Sequence, residues 1–258
     1  GLVGTCADRR KRGPMKFSTA TPPLLLPLLL ALHLPLAFAQ NACSSDGAPA
    51  PQALYERFMS ADCADCWSNP TFAPGVSAAV LDWITPGRTG DDAPLSAAAR
   101  TEALARLQAL GRQPPMATDV HVAAVAQRLP GRLRVSFGPA ISGYVGTTVS
   151  YLGALPPDAT GEWTVSIALV EQIPQGVEGT PVSRNLVRNL FQRKWDVRDK
   201  LLKNELRNLP RDTRWIERRS MQMAPSADPN RLALIGWMED GNGQIVATAR
   251  AQCVATQP

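Results

Sequence analysis

Helix-like and strand-like patterning alternate through the first half of the chain, and strand-like patterning dominates the second. The run Ala53-Leu54-Tyr55-Glu56-Arg57-Phe58 predicts a strand over about 52–59. A second strand is predicted from Val76 to Ile84, closed by Thr85-Pro86-Gly87. Between the two, Pro70 and Pro74 limit any helix after Cys66 to a short one, because proline is poorly tolerated in a helix interior. The clearest helix runs from Ala97 to Leu110, with Leu104, Leu107 and Leu110 at helical spacing, Ser96 as its cap and Gly111 as its stop. After Gln113-Pro114-Pro115-Met116, the stretch from Thr118 to Ala126 alternates as a strand.

Beyond residue 130 the chain changes character. Leu133–Phe137, Tyr144–Leu152 and Trp163–Ile173 are rich in β-branched and aromatic residues and are separated by Gly/Pro turns. Arg231–Met238 and Gln244–Cys253 read as a hairpin around Glu239-Asp240-Gly241-Asn242-Gly243. Val197, Leu201, Leu202, Leu206 and Leu209 are spaced for an amphipathic helix, with Asp199 and Lys203 as an i,i+4 pair.

The N-terminal segment reads as a targeting signal. Met15-Lys16 reads as the start, with residues 1–14 as upstream sequence. A leucine-rich run from Leu24 to Leu36 leads to Ala37-Phe38-Ala39, a small-x-small pattern that predicts cleavage after Ala39. The run is interrupted by Pro27 and Pro35 and falls short of the roughly 20 apolar residues that a membrane span requires. This places the mature chain in the periplasm or outside the cell.

Removal of residues 1–39 changes the charge picture. The full chain has 27 basic and 22 acidic side chains, and the leader carries five of the former and one of the latter. A mature chain of net charge +1 gives no argument for nucleic-acid binding. One segment still stands out: residues 184–219 hold twelve Lys/Arg against five Asp/Glu. Such a segment can guide an acidic partner or an anionic membrane face, or it can be solvated surface that complements the rest of the chain, and the last reading is the better supported.

Four cysteines remain in the mature chain: Cys43, Cys63, Cys66 and Cys253. In an oxidising compartment the economical pairing is Cys63–Cys66 as a reactive pair and Cys43–Cys253 as a structural staple, with terminal cysteines left free as the rival arrangement. Closing so long a loop is worth roughly 3–5 kcal/mol in the chain-entropy treatment. Cys63 and Cys66 have C-x-x-C spacing directly after a strand, a placement that suits thiol–disulfide exchange. An inert local disulfide and half of a zinc site are the competing readings. Zinc needs further ligands, and the mature chain offers His121 and the distant Cys43 and Cys253. His121, on a strand-like run, reads as structural. The turn Asp240-Gly241-Asn242-Gly243 lacks the acid that a calcium loop needs at its twelfth position, where Ala251 stands. Asn69-Pro70-Thr71 fails as a glycosylation acceptor because of its proline.

These residues together resemble the thioredoxin-like superfamily and, more narrowly, a family of secreted bacterial proteins of unknown function. That family shows F-T-S-x-G-C-x-x-C-P-P, then D-Y-W in a strand, T-P-Q-M after a helix, R-N-V-V-R, W-D and a final hairpin. The chain offers Phe58-Met59-Ser60-Ala61-Asp62-Cys63-Ala64-Asp65-Cys66, Leu81-Asp82-Trp83, Gln113-Pro114-Pro115-Met116, Arg184-Asn185-Leu186-Val187-Arg188 and Trp195-Asp196 in the same order. The resemblance implies that Pro114 is a cis-proline facing the cysteines and positioning substrate. It departs from the pattern at Asp62, where the family has glycine, and at Trp67, where it has proline. Asp62 and Asp65 flank Cys63 and are expected to oppose its thiolate, making the pair more reducing.

The expectation is thus an α/β fold: a tether over 40–51, a thioredoxin-like domain over 52–129, and a β-rich, sandwich-like domain over 130–258. The expected function is thiol–disulfide oxidoreduction with Cys63 as nucleophile and Cys66 as resolving thiol. Protein or small-molecule disulfides, or a redox partner, are the expected reactants, with no cofactor, no metal and no nucleic acid. The alternative is a non-catalytic cell-envelope protein that uses the same scaffold to bind a partner.

Overall fold

A computed structural model describes residues 43–70, 74–75, 77–126, 129–199, 201, 205 and 207–253. The expected leader lies outside these residues, as do residues 200, 202–204 and 206 of the helix expected over 197–209. The described elements are β1 (Cys43–Ser44), β2 (Ala53–Ser60), α1 (Ala64–Ser68), β3 (Ala78–Thr85), α2 (Thr101–Ala109), β4 (Thr118–Ala124), β5 (Arg132–Ile141), β6 (Tyr144–Leu152), β7 (Glu162–Ile173), β8 (Arg184–Asp196), β9 (Thr213–Gln222), β10 (Leu232–Glu239) and β11 (Ile245–Gln252). They form a four-stranded sheet in the order β1-β5-β6-β9 and a seven-stranded sheet in the order β11-β10-β7-β8-β3-β2-β4.

The α/β thioredoxin-like module expected over 52–129 is therefore corrected to a β-rich fold. Among the described residues the α-helices are α1, of five residues, and α2, of nine. An α/β layer needs helices across the faces of its sheet; here residues of the smaller sheet form one core with the larger sheet and α2 contributes to another. Pro70 follows closely on α1. At the start of α2, Arg100 takes an extended conformation and donates its N–H to Ile84 O, 2.9 Å away, so the helix begins four residues later than its apolar spacing suggested. Strands from both sides of residue 130 share the larger sheet.

Within that sheet β2 runs parallel to β3 over eight residue pairs, and β4 lies antiparallel to β2. β3 meets β8 through one register pair, Asp82 with Leu186. β10 is buried on both faces, which explains its continuous apolar run. Leu234 and Met238 pack with Val165, Ile167, Val135, Val149 and Tyr151 between the sheets. Ile235 and Trp237 join Leu54, Phe58, Leu81, Trp83 and the α2 residues Ala103 and Leu107 in a second core. Gly236 permits the sheets to approach this closely, since a Cβ there would lie 2.5 Å from Val135 Cγ1.

Cys43 and Cys253 are disulfide-bonded across 210 residues, joining β1 of the smaller sheet to the end of β11. Replacing both with serine is expected to lower the unfolding free energy by about 2–4 kcal/mol. Urea titration of the double variant checks this, and an unchanged midpoint would remove the staple's role.

Several described cations of the basic segment are buried or paired within the chain. Arg184 and Arg188 are buried in β8, and Arg188 bonds Glu171 at 2.5 Å. On the surface, Arg193 pairs with Glu217, Lys194 with Glu162, Arg198 with Asp196, and Arg219 with Glu217. Much of the segment's charge is thus met within the chain.

Candidate functional site

β2 and β3 end side by side, and the cysteine pair follows directly from the end of β2. Ala61 donates its N–H to Thr85 O at 2.9 Å, and Leu95 donates to Ala61 O at 3.1 Å, which fixes the chain just before the motif. Cys63 then takes the N-cap position of α1 and accepts from Cys66 N at 3.2 Å. The two sulfurs are bonded to each other. They differ in access: Cys63 is partly exposed, while Cys66 is buried at 7% exposure against Met59, Ile84 and Leu186.

Asp62 does not act only as a bare charge beside Cys63. Its Oδ2 accepts from Arg88 N at 2.7 Å, and its Oδ1 accepts from Thr89 N at 3.2 Å and Thr89 Oγ1 at 2.6 Å. These bonds, the Thr89 hydroxyl first, hold its carboxyl below the usual aspartate value of 3.8. Asp62 is thus an anion committed to the 87–89 loop. The loop passes so near that a Cβ on Gly87 would lie 2.3 Å from Asp62 Oδ1, a close approach that requires glycine.

Arg184 holds the other end of the motif. Its Nη2 donates to the carbonyls of Cys66 at 3.3 Å, Trp67 at 2.8 Å and Asn69 at 3.0 Å, and its Nε donates to Thr180 Oγ1 at 3.0 Å. A cation at a helix C-terminus satisfies carbonyls that have no intrahelical partner. The guanidinium also lies 5.4 Å from the Trp67 ring centroid. Asp82 is 3.8 Å from Arg184 Nη1, accepts from Arg57 Nε at 2.6 Å, and accepts from Asn185 N at 2.7 Å. Trp67 is secured in turn by its Nε1–H, which donates to Glu178 O at 2.7 Å. A cavity of about 300 Å³ opens beside it, lined by Trp67, Ile84, Leu95, Ala98, Leu186 and Arg188 among others.

Pro114 is trans, because no cis peptide bond occurs among the described residues. This corrects the cis-proline expected there. Without a requirement from its surroundings, an X–Pro bond takes the more stable trans form. The segment that follows does reach the motif's strand, where Ala117 O accepts from Ser60 N at 2.9 Å before β4 pairs with β2.

His121 sits across from Glu56 in the β2–β4 ladder, with Nδ1 3.4 Å from Glu56 Oε2. It belongs to a buried cluster in which Arg106 bonds Glu56 Oε1 at 2.9 Å, Glu56 Oε2 at 2.8 Å and Glu239 Oε1 at 2.7 Å. Sequence reasoning missed Arg184 and Arg106, since a single arginine reads as surface. The available signal for Arg184 was its place at the head of Arg184-Asn185-Leu186-Val187-Arg188, where Leu186 and Val187 stand between two cations.

Among the described residues no group of three or more His, Cys, Asp or Glu side chains converges as a metal site, and no helix is long and apolar enough to cross a membrane. Comparison with protein-family models, with curated proteins and with solved structures finds no match.

Proposed function

We propose that Cys63 and Cys66 form a thiol–disulfide exchange site. The observation that carries this reading is the asymmetry of the pair, with one sulfur reachable from solvent and its partner buried behind it. Exchange needs that arrangement, because one sulfur must accept an external thiolate or disulfide while the other resolves the mixed species. In the reductive direction the Cys63 thiolate attacks a substrate disulfide, and one substrate sulfur leaves as thiolate. Cys66, losing its proton, attacks Cys63 Sγ, restores the internal disulfide and releases the second substrate thiol. Two electrons pass from the pair to the substrate, and the oxidative direction is the reverse. Asp62 and Arg184 act as positioning residues, one at each end of the motif. The cavity beside Trp67, lined by apolar side chains together with Glu178 and Arg188, offers room for a side chain of a protein substrate. Two disulfides in one chain support a location in the periplasm or outside the cell.

Trapping tests the proposal. In the reduced Cys66→Ser variant, the Cys63 thiolate is expected to attack a model disulfide substrate, release one substrate thiol and accumulate as a mixed disulfide, and the additional Cys63→Ser change is expected to abolish it. Mass spectrometry under non-reducing conditions reads the adduct. A native pair that mild reductant leaves intact would instead favour the reading as a non-catalytic envelope protein.

A further inference from the structure

A second cavity, of about 560 Å³, is lined by Arg57, Val80, Gln172, Arg184, Asn185 and Arg250 among others. Three guanidinium groups border this space. Asp82 lies against two of them, with Oδ1 2.6 Å from Arg57 Nε and 3.8 Å from Arg184 Nη1. Arg250 is different. Its Nε is enclosed by protein and has no hydrogen-bond partner among the described residues. Burial alone lowers its pKa, and no carboxylate acts in the opposite direction.

An enclosed N–H donor without an acceptor is costly, and the cost is greater on a cation. Arg250 lines the cavity and no charged group among the described residues acts on it, so an oxygen anion entering the cavity would give its guanidinium a counter-charge. A guanidinium presents planar, forked donors that match carboxylate and phosphate oxygens. The cavity volume falls within the range of small-molecule sites. We propose that this cavity binds a small oxyanion, a phosphate or carboxylate group on a compact molecule, with Arg250 as the residue that specifies it. This inference is independent of the chemistry at Cys63.

The test is calorimetric titration and thermal melting of the full oxidised chain with inorganic phosphate and, separately, with succinate. Sodium chloride at matched ionic strength serves as the reference. At least one probe is expected to bind saturably and to raise Tm above the chloride reference, and the stronger of the two shows whether phosphate or carboxylate fits. Arg250→Gln is expected to weaken that binding at least tenfold. The unliganded variant should melt no lower than the native chain, because Arg250 Nε gives up no bond. Neither probe exceeding chloride would overturn the proposal. Equal affinity in Arg250→Gln would do the same, leaving an adventitious ion only, and so would a large loss of unliganded stability, which would mean Arg250 already has a partner.

Discussion

Arg106→Met is expected to lower the unfolding free energy by about 3–5 kcal/mol at neutral pH, because it removes one member of a buried ionic cluster and leaves the others. Methionine occupies a similar volume and keeps contact with Trp237, whose ring lies 5.5 Å from the Arg106 guanidinium. The loss is therefore electrostatic more than steric. Glu56 is fully buried and Glu239 nearly so, and both direct oxygens at Arg106. His121 is the other group facing Glu56, 3.4 Å away and partly exposed. In the native chain burial pushes the Glu56 pKa up, but hydrogen bonds from His121 and Arg106 outweigh it and hold the group below 4.5. Its contribution is then complete above pH 4.5 and disappears as pH falls through the lowered value. Without Arg106 the sign reverses. Burial dominates, the Glu56 pKa rises, and stability falls as pH climbs from 4.5 toward that raised value. Urea unfolding at pH 4.5 and at neutral pH should show a gap between native and variant that widens with pH. A gap of the same size at both values would contradict the account.

Arg184→Met carries an expected loss of similar size, about 3–5 kcal/mol, but with a local consequence as well. Three carbonyls of the 66–69 segment would lose their shared donor. Freed from that anchor, the Cys63–Cys66 disulfide should be reduced several-fold faster by dithiothreitol under native conditions. The Cys43–Cys253 bond, which Arg184 does not touch, provides the internal control and should keep its rate. Arg184→Lys should fall between native and Met, since it retains the charge but not the forked donors. If both disulfides accelerate together, Arg184 is a general stabiliser and does not position the motif.

Both predictions concern arginines that the sequence hides. The apolar run of β10 could be read directly, because a strand buried on both faces needs no polar alternation. The strand leading into Cys63 could also be read, and so could the economical pairing of the four cysteines. β8 and β9 could not. β8 (Arg184–Asp196) lies inside the charge-rich 184–219 segment and β9 (Thr213–Gln222) begins in it, on either side of the helix expected over 197–209. Charge counting treats each arginine as solvated, whereas Arg184 and Arg188 reach inward to carbonyls and to Glu171. Asp62 escaped for a related reason. Its proximity to Cys63 is written in the sequence, but the three donors that occupy it come from residues 26 and 27 positions away. Helix propensity over 97–110 was likewise cut back by a long-range bond, from Arg100 to Ile84.

The single register pair between β3 and β8 gives the larger sheet a weak seam. Elsewhere its neighbouring strands share seven or more pairs, but here Asp82 and Leu186 stand alone. Side chains cross where the ladder does not: Asp82 accepts from the backbone of Asn185, and Arg184 reaches past Asp82 to the cysteine segment. Pulled from its ends, such a sheet would part along this line, with β2, β3 and β4 leaving as one cooperative piece and the polar side chains acting as the clasp.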